Sequence, residues 1–371
     1  MRHRAFTLGL APTRRQTVAL TDLLGHLADM YNAALQERRD AWKTQRVHVS
    51  AYEQMRELTQ LRATVPVFAQ FPVTIQRDPI RRVDRAFAGF FRRCRSGETP
   101  GYPRFRSKDR YDSFVVDGPN FSIKHGRVSI VKLGSFRVRT RCRLSGEPKQ
   151  LFIKRVGHKW IAVVTCAIGA APEKRPVSTA VGIDVGLTHL VTCSDGTTVE
   201  NPRWTREAAT RLARANQALA RKTRGSSNRK KARERLRRVH QAIAGRRRAY
   251  LHGVSRDLIA RYDLIAYEDL KIRSMVKSNL GKSIMDAAWG ELIHQLKYKA
   301  EDAGSWVVPV NPRGTSQMCS GCGETVKKDL PQRTHSCPSC GLILDRDHNA
   351  ALNILARGER AVGREAAEGS L

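Results

Sequence analysis

Four cysteines constrain this chain more than any other feature. Cys319 with Cys322, and Cys337 with Cys340, form two C-x2-C pairs separated by fourteen residues. In each pair the backbone amides turn toward sulfur, and four thiolates so arranged suit a tetrahedral Zn²⁺. Gly321, Gly323 and Gly341 supply the tight turns around the pairs. Two disulfides are the alternative, which a reducing interior disfavours. Cys94, Cys142, Cys166 and Cys193 are scattered and read as reduced core or surface residues. Directly after the second pair comes LDRDHNAALNI, an acidic helix start with Asp345, Asp347 and Asn349. A purely structural zinc knuckle has no need of carboxylates there.

Charge narrows the class of partner. The 371-residue chain carries 67 Lys plus Arg against 34 Asp plus Glu, a net +33. Such a surplus favours a polyanion, because neutralising phosphates releases condensed counterions; a merely soluble basic surface is the weaker alternative. No apolar run approaches the ~18 residues of a membrane span. The opening MRHRAFTLGLAPTRRQ is too short in apolar residues for a secretory core. A cytoplasmic protein, held near the nucleoid through DNA, is the expectation.

The length allows two or three domains, and the pattern along the chain predicts an α+β multidomain protein. A strand at Arg4–Leu10 precedes helical periodicity over about 15–42, 50–62 and 81–95. Five short strands with turns follow between 101 and 168, including SFRVRTRC, where Arg137, Arg139 and Arg141 alternate with Phe136, Val138 and Thr140. This predicts a small β-barrel over 1–172 with a helical insertion at about 15–97. APEKRPVS reads as a linker.

Residues 173–371 carry a different order. TAVGIDVG is a buried strand ending at Asp184, and THLVTC and TTVE follow it as hairpin partners. A basic helical stretch occupies about 204–260. YDLIAYEDL is a strand ending at Glu268, and one helix from Ile284 is expected to stop at Gly304. SWVVPV, interrupted by Pro309, reads as an edge strand. The cysteine ribbon spans 312–343, the last helix follows, and the tail after Ala356 is expected to lack structure. The order βββ-α-β-α-β-α is that of an RNase H-like fold, whose first and fourth strands are neighbours. Asp184 and Glu268 would then meet, and the last helix can deliver a third carboxylate. Three converging carboxylates suit a pair of Mg²⁺ ions hydrolysing a phosphodiester. Taken singly, each acid could instead be a turn, loop or cap residue.

Between Arg203 and Tyr250 stand seventeen Lys or Arg and two acids, Glu207 and Glu234. One sign dominates, so phosphate contact is expected from Arg229, Lys230, Lys231, Arg233, Arg237, Arg246 and Arg247. Arg104, Arg106 and Lys108 flank Tyr102, Phe105 and Tyr111, a mixture suited to RNA backbone and base stacking.

GIDVG, IAYEDL, TSQMCSGCG, CPSCG and DRDHNAALNI together resemble the TnpB (OrfB) family of insertion-sequence transposons, whose RuvC-type nucleases are related to type V CRISPR effectors. FPVTIQRDPIRRVDRAFAGFF, GYPRFRSK, NPRW and SIMDAAW extend the resemblance over nearly the whole chain. It implies an RNA-guided DNA endonuclease with a WED-like barrel, a REC-like helical insertion, and a RuvC-like domain bearing a zinc ribbon. The implied partners are a guide RNA from the transposon end and duplex DNA with a short target-adjacent motif; a monomer is expected. Asp184 and Glu268 match the family's first two acids and Asp347 its third, leaving Asp345 as a cap or as a group that supports the metal-binding acids from behind. Gln76 and Arg77 fall where the family's target-motif contacts lie, equally well explained as surface polar residues, with Pro79 expected to break any helix there. The basic stretch would hold the guide or its heteroduplex by shape and backbone. A guided repressor that no longer cuts, or an unguided structure-specific nuclease, are the alternatives. The three intact acids argue against the first, and the ribbon and high charge against the second.

Overall fold

The computed structural model describes residues 2–139, 144–329 and 332–368, with backbone alone from 364. The chain forms two compact units, Met1–Ala170 and Ala171–Leu371.

The first unit opens with β1 (Arg2–Ala11), followed by α1 (Arg14–Gln45), α2 (Ala51–Thr64), α3 (Pro66–Ala69) and α4 (Val73–Arg95). Strands β2 (Ser113–Asp117), β3 (Phe121–Lys124), β4 (Arg127–Ile130), β5 (Gly134–Val138), β6 (Glu147–Val156) and β7 (Lys159–Ile168) complete it. Helix α1 starts where it does because Thr13 and Gln16 form a reciprocal capping box, each side chain accepting from the other's backbone N–H. Its buried residues Leu20, Leu23, Leu24, Leu27, Tyr31 and Leu35 recur at three- and four-residue spacing and join strand residues Phe6, Leu8 and Val164 in one core.

Four expectations change here. The strands make one open sheet, in the order β2-β6-β7-β1-β5-β4-β3, and not a closed barrel. Closure would need β2 to pair with β3, and among the described residues each has a strand on one side only. Six strands and not five lie between 101 and 168, because FSIKHGRVSIV folds as the β3–β4 hairpin, turned at His125 and Gly126, both with positive φ. The alternation expected at Thr140 and Arg141, and Cys142, lie outside the described residues. Pro79 does not end a helix: α4 runs through it, and Pro79 is buried. Gln76, on the same buried face, is fully enclosed, accepting from Arg62 with His26 Nε2 at 3.4 Å. It is therefore a core residue and not a surface contact. Arg77 keeps its Nε buried without an acceptor among the described residues.

The second unit begins with β8 (Ala180–Asp184), β9 (His189–Cys193), β10 (Thr198–Glu200), α5 (Trp204–Glu207), α6 (Ala209–Ala220) and α7 (Ser227–Arg261). It continues through β11 (Leu264–Glu268), α8 (Ile272–Met275), α9 (Gly281–Ala287), α10 (Trp289–Ala303), β12 (Trp306–Val310), β13 (Thr334–Ser336), β14 (Ile343–Asp345) and α11 (Arg346–Glu368). The main sheet has the order β10-β9-β8-β11-β12, so the first and fourth strands of this unit are neighbours and β12 is an edge. β8 and β11 run parallel, and their buried Val181, Ile183, Ile265 and Tyr267 share a core with Leu292 and Leu296 of α10.

The basic stretch is three helices, with a break at 221–226 where Gly225 takes positive φ. The helix expected from Ile284 is also divided: Ala288 adopts a left-handed φ of 55° between α9 and α10, and Gly304 caps α10 in the same region. The tail after Ala356 is helical to Glu368. Arg357 holds it by donating to Asn311 O (2.6 Å) and Arg313 O (3.0 Å). Gly358 lies so close to β11 that a Cβ there would come 2.3 Å from Ala266 Cβ. No helix among the described residues is long and apolar enough to cross a membrane.

Candidate functional site

Three acids meet at one end of the second sheet. In the parallel β8–β11 ladder Tyr267 lies opposite Ile183, so Asp184 and Glu268 leave adjacent strands at the same level. Strand spacing of about 4.8 Å then keeps their backbones close. Helix α11 brings the third. It lies across β8 at Gly182, where a Cβ would stand 2.1 Å from Ala351 O, so only glycine permits the approach. Asp345 caps the helix, its Oδ1 accepting from the N–H groups of Asp347 (2.8 Å) and His348 (3.1 Å). That leaves the Asp347 side chain facing the β8 turn, 4.0 Å from where a Gly186 Cβ would be.

The electrostatics record the convergence. Burial, then the negative charges of Glu268 and Asp347, push the Asp184 carboxyl up to about 8, with Arg346 opposing. Glu268 is raised by burial, against the hydrogen bond it accepts from Thr315 Oγ1 and the charge of Arg357. Asp347 is paired with Arg333 and Arg346, each at 3.2 Å. Among the described residues no donor reaches the Asp184 carboxylate. A partly buried carboxylate that accepts no hydrogen bond, beside Glu268 and the arginine-paired Asp347, is an all-oxygen donor set, the chemistry that Mg²⁺ favours. Thr315, Arg333 and Arg346 were not legible as site residues, because nothing in their spacing shows what they touch.

The four cysteines lie closer still. Their Sγ atoms are all within 4.8 Å of one another, with Cys319–Cys340 at 3.6 Å and Cys322–Cys337 at 3.5 Å. A disulfide needs about 2.05 Å, whereas the edge of a zinc–thiolate tetrahedron with bonds of ~2.3 Å is about 3.8 Å. The residues therefore fit zinc. The four sulfurs share protons: the amide of Cys340 holds the Cys337 thiol down to about 6, while, against the amide of Glu324, Cys337 and Cys340 raise the Cys322 thiol to about 12. Among the described residues no other set of three such groups is drawn together this tightly.

Two amides tie the cysteine ribbon to the acids. Asn349, on α11, accepts from Ser320 N (3.0 Å) and donates to Met318 O (2.8 Å). Asn353, one turn on, donates to Thr315 O (2.9 Å) and Met318 O (2.7 Å). The first cysteine knuckle is thus fastened to the helix that carries Asp347, and Thr315 at its base touches Glu268.

The basic residues divide by what they already bind. Arg229 donates to Leu219 O (3.1 Å) and Lys222 O (2.7 Å), closing the end of α6. Arg247 lies against Asp286 at 3.5 Å, Arg246 pairs with Glu207 at 2.9 Å, and Arg237 with Glu234 at 3.2 Å. Lys230 and Lys231 are exposed on α7, as is Arg233, which already has a partner within the protein. In the first unit Arg106 lies over the Tyr31 ring and Lys108 pairs with Asp29 at 2.7 Å, while Arg104 is exposed. Tyr111 is wholly buried and offers no stacking surface; Tyr102 and Phe105 stay about half exposed, with Arg39 over both rings.

Comparison with known proteins places this geometry. A family model described as "Probable transposase" (OrfB, IS605 type) matches residues 162–279, and a "Cas12f1-like, TNB domain" model matches 289–354. A model described as a helix-turn-helix domain matches 1–46, which fold here as a strand and one 32-residue helix. A Streptomyces pristinaespiralis protein named "Putative RNA-guided DNA endonuclease" is 34% identical over 367 residues, 96% of this chain and 89% of its own. InsQ of Escherichia coli K12, named likewise, is 28% identical over 96% of this chain and 92% of its own. Among solved structures, a Cas12f1–sgRNA–target DNA complex aligns at a TM-score of 0.58 and 14% identity, over 92% of this chain and 83% of that one, a likeness of fold. Near-complete alignment with a relative at that identity, joined to a transposase model spanning β8 to β11, leaves one assignment: the chain belongs to the OrfB (TnpB) family of IS605-type insertion-sequence transposons.

Proposed function

We propose that this protein is an RNA-guided DNA endonuclease in which Asp184, Glu268 and Asp347 form a single RuvC-like, RNase H-like centre. The carrying observation is the Asp184 carboxyl, level with Glu268 and beside Asp347, pushed up to about 8 by burial and then by the negative charges of those two acids. The names of the two nearly full-length relatives support the guide and the DNA substrate. Mg²⁺ held by the three acids would supply the charge that activates water and stabilises the leaving oxygen of a phosphodiester.

The chain's own residues do the rest. Thr315 orients one oxygen of Glu268 by hydrogen bonding to it. Asp345 occupies the first amides of α11, so Asp347 is left free to face the centre. Arg333 and Arg346 hold Asp347 in place and partly offset its charge. Zn²⁺ on Cys319, Cys322, Cys337 and Cys340 is structural in this reading, fixing the knuckle that Asn349 and Asn353 fasten to α11. Exposed Lys230, Lys231 and Arg104 are the cations most open to nucleic acid.

Purifying the full chain and sequencing the RNA that accompanies it tests the reading. That complex is then challenged with a plasmid library carrying randomised flanks beside the matching target. One defined RNA and one depleted flank motif, dependent on Mg²⁺, is the expected result. Heterogeneous RNA with no depletion would contradict it.

A further inference from the structure

A cavity of about 410 Å³ opens against the turn that follows β8, lined by Leu187, Asn201, Arg203, Arg206, Lys282 and Asp286 among others. Its wall is fixed. Leu187 O accepts from Asn201 Nδ2 (2.9 Å) and Gly186 O from Trp289 Nε1 (3.2 Å), so the segment three residues on from Asp184 cannot drift. Its floor is fixed too. Asp286, 8% exposed, accepts from Thr205 N (2.8 Å) and Thr205 Oγ1 (2.6 Å), with Arg247 at 3.5 Å.

These bonds occupy the carboxylate and the amide of the lining, leaving the Ser283 hydroxyl as its one uncharged polar side-chain group without a bond among the described residues. Both oxygens of Asp286 are occupied, and Asn201 is engaged at its Nδ2 and, from Arg203 N at 3.3 Å, at its Oδ1. What remains at the rim is cationic: Arg206 and Lys282 are exposed, as is Arg203, whose guanidinium also donates to Leu187 O at 3.5 Å, and the nearest acid in sequence, Glu207, is held by Arg246. Leu187 and Ala209 add apolar surface beneath them. A rim of cations over an apolar base, with its amide and carboxylate spent, attracts phosphate and sugar and has little left to read a base edge.

We infer that this cavity seats the sugar–phosphate backbone of the DNA strand leading to Asp184, with Arg203, Arg206 and Lys282 as its phosphate ligands, independent of base sequence. The inference rests on the proposed function for the identity of the strand: the cavity wall is the continuation of the strand that carries Asp184, and the strand presented there is DNA. Phosphate chemistry alone would also admit a small anion.

The test uses the full chain purified with its own RNA, in magnesium-free buffer, so that binding is read without cleavage. Anisotropy of a labelled 20-nucleotide single-stranded DNA is followed against salt for the parent and for R206E/K282E. Two lost single-strand contacts, at about 0.7 each, lower the slope of log K against log salt by about 1.4. The weakening at about 0.1 M salt is expected to exceed tenfold, with K282E alone giving about half the change in slope. R206K/K282R, keeping both charges, is expected to restore affinity to within about threefold. An unchanged affinity and slope in a variant with the parental melting temperature overturns the inference. So does loss of the co-purifying RNA with DNA affinity unaltered, which makes RNA the ligand. Displacement of the DNA by ~1 mM inorganic phosphate makes the cavity a small-anion site instead. If the parent never cuts DNA yet the slope falls as stated, the cavity assignment stands and the catalytic reading alone fails.

Discussion

Replacing Asp184 by Asn should stabilise the metal-free protein at alkaline pH, and the size of the effect follows from the site's electrostatics. Its carboxyl is held at about 8 against an ordinary 3.8. Because the folded-state value is raised, folding favours the protonated acid. Stability is full below about pH 4 and is lost as pH rises toward 8, at about 1.4 kcal/mol per pH unit. Between pH 6 and 8.5 the site passes through the last two units of that window, about 3 kcal/mol at most. Relaxation of Arg346 and entry of counterions reduce this to roughly 1.5 kcal/mol. Asn carries no charge and escapes the loss. For a unit of this size that is a gain of about 3–6 °C in Tm at pH 8.5 relative to the gain at pH 6. Calorimetry in magnesium-free buffer at the two pH values, both mild enough to keep zinc bound, reads it directly. Added Mg²⁺ should then raise the parent's Tm at pH 8.5 and leave the Asn variant's unchanged. Equal differences at both pH values would refute the claim that the three acids share one site in which the Asp184 charge is disfavoured.

Other perturbations isolate other parts of the account. Cys337→Ser removes one thiolate of the ribbon, and elemental analysis should find the bound zinc lost, with the 312–343 segment becoming sensitive to protease. Gly182→Ala puts a methyl group 2.1 Å from Ala351 O, so α11 must lift from β8. A loss of about 3 kcal/mol by chemical denaturation, together with loss of cleavage, is expected. Thr315→Val deletes the hydrogen bond that lowers the Glu268 pKa, so that value rises further. The rise of cleavage rate with pH should move to higher pH, while RNA and DNA affinity stay the same.

What the sequence made legible were features written in short-range pattern. The cysteine spacing and Gly304 as a helix stop lie within a few residues of their signal, whereas the division of roles between Asp345 and Asp347 followed from the family resemblance. What it hid depended on partners far along the chain. Gln76 reads as polar and exposed until Arg62 and His26 close over it. Pro79 reads as a breaker, because propensity cannot show that packing on the buried face of α4 outweighs one lost hydrogen bond. Arg229 and Arg247 read as phosphate ligands, yet the structure engages them with carbonyls and with Asp286. The open sheet was read as a barrel because alternation specifies faces and not closure. Thr315 and Arg333 reach the acids only because the ribbon folds back upon α11.

The central claim is that Asp184 is part of the cutting centre and not of the nucleic-acid grip. Single-turnover cleavage of a matched DNA by the RNA-loaded Asp184→Ala protein tests it most directly, with RNA content and DNA affinity measured on the same preparation. The account predicts cleavage reduced by at least about a thousandfold, RNA content unchanged, and DNA affinity within about threefold of the parent. A variant that still cuts at a comparable rate would contradict it.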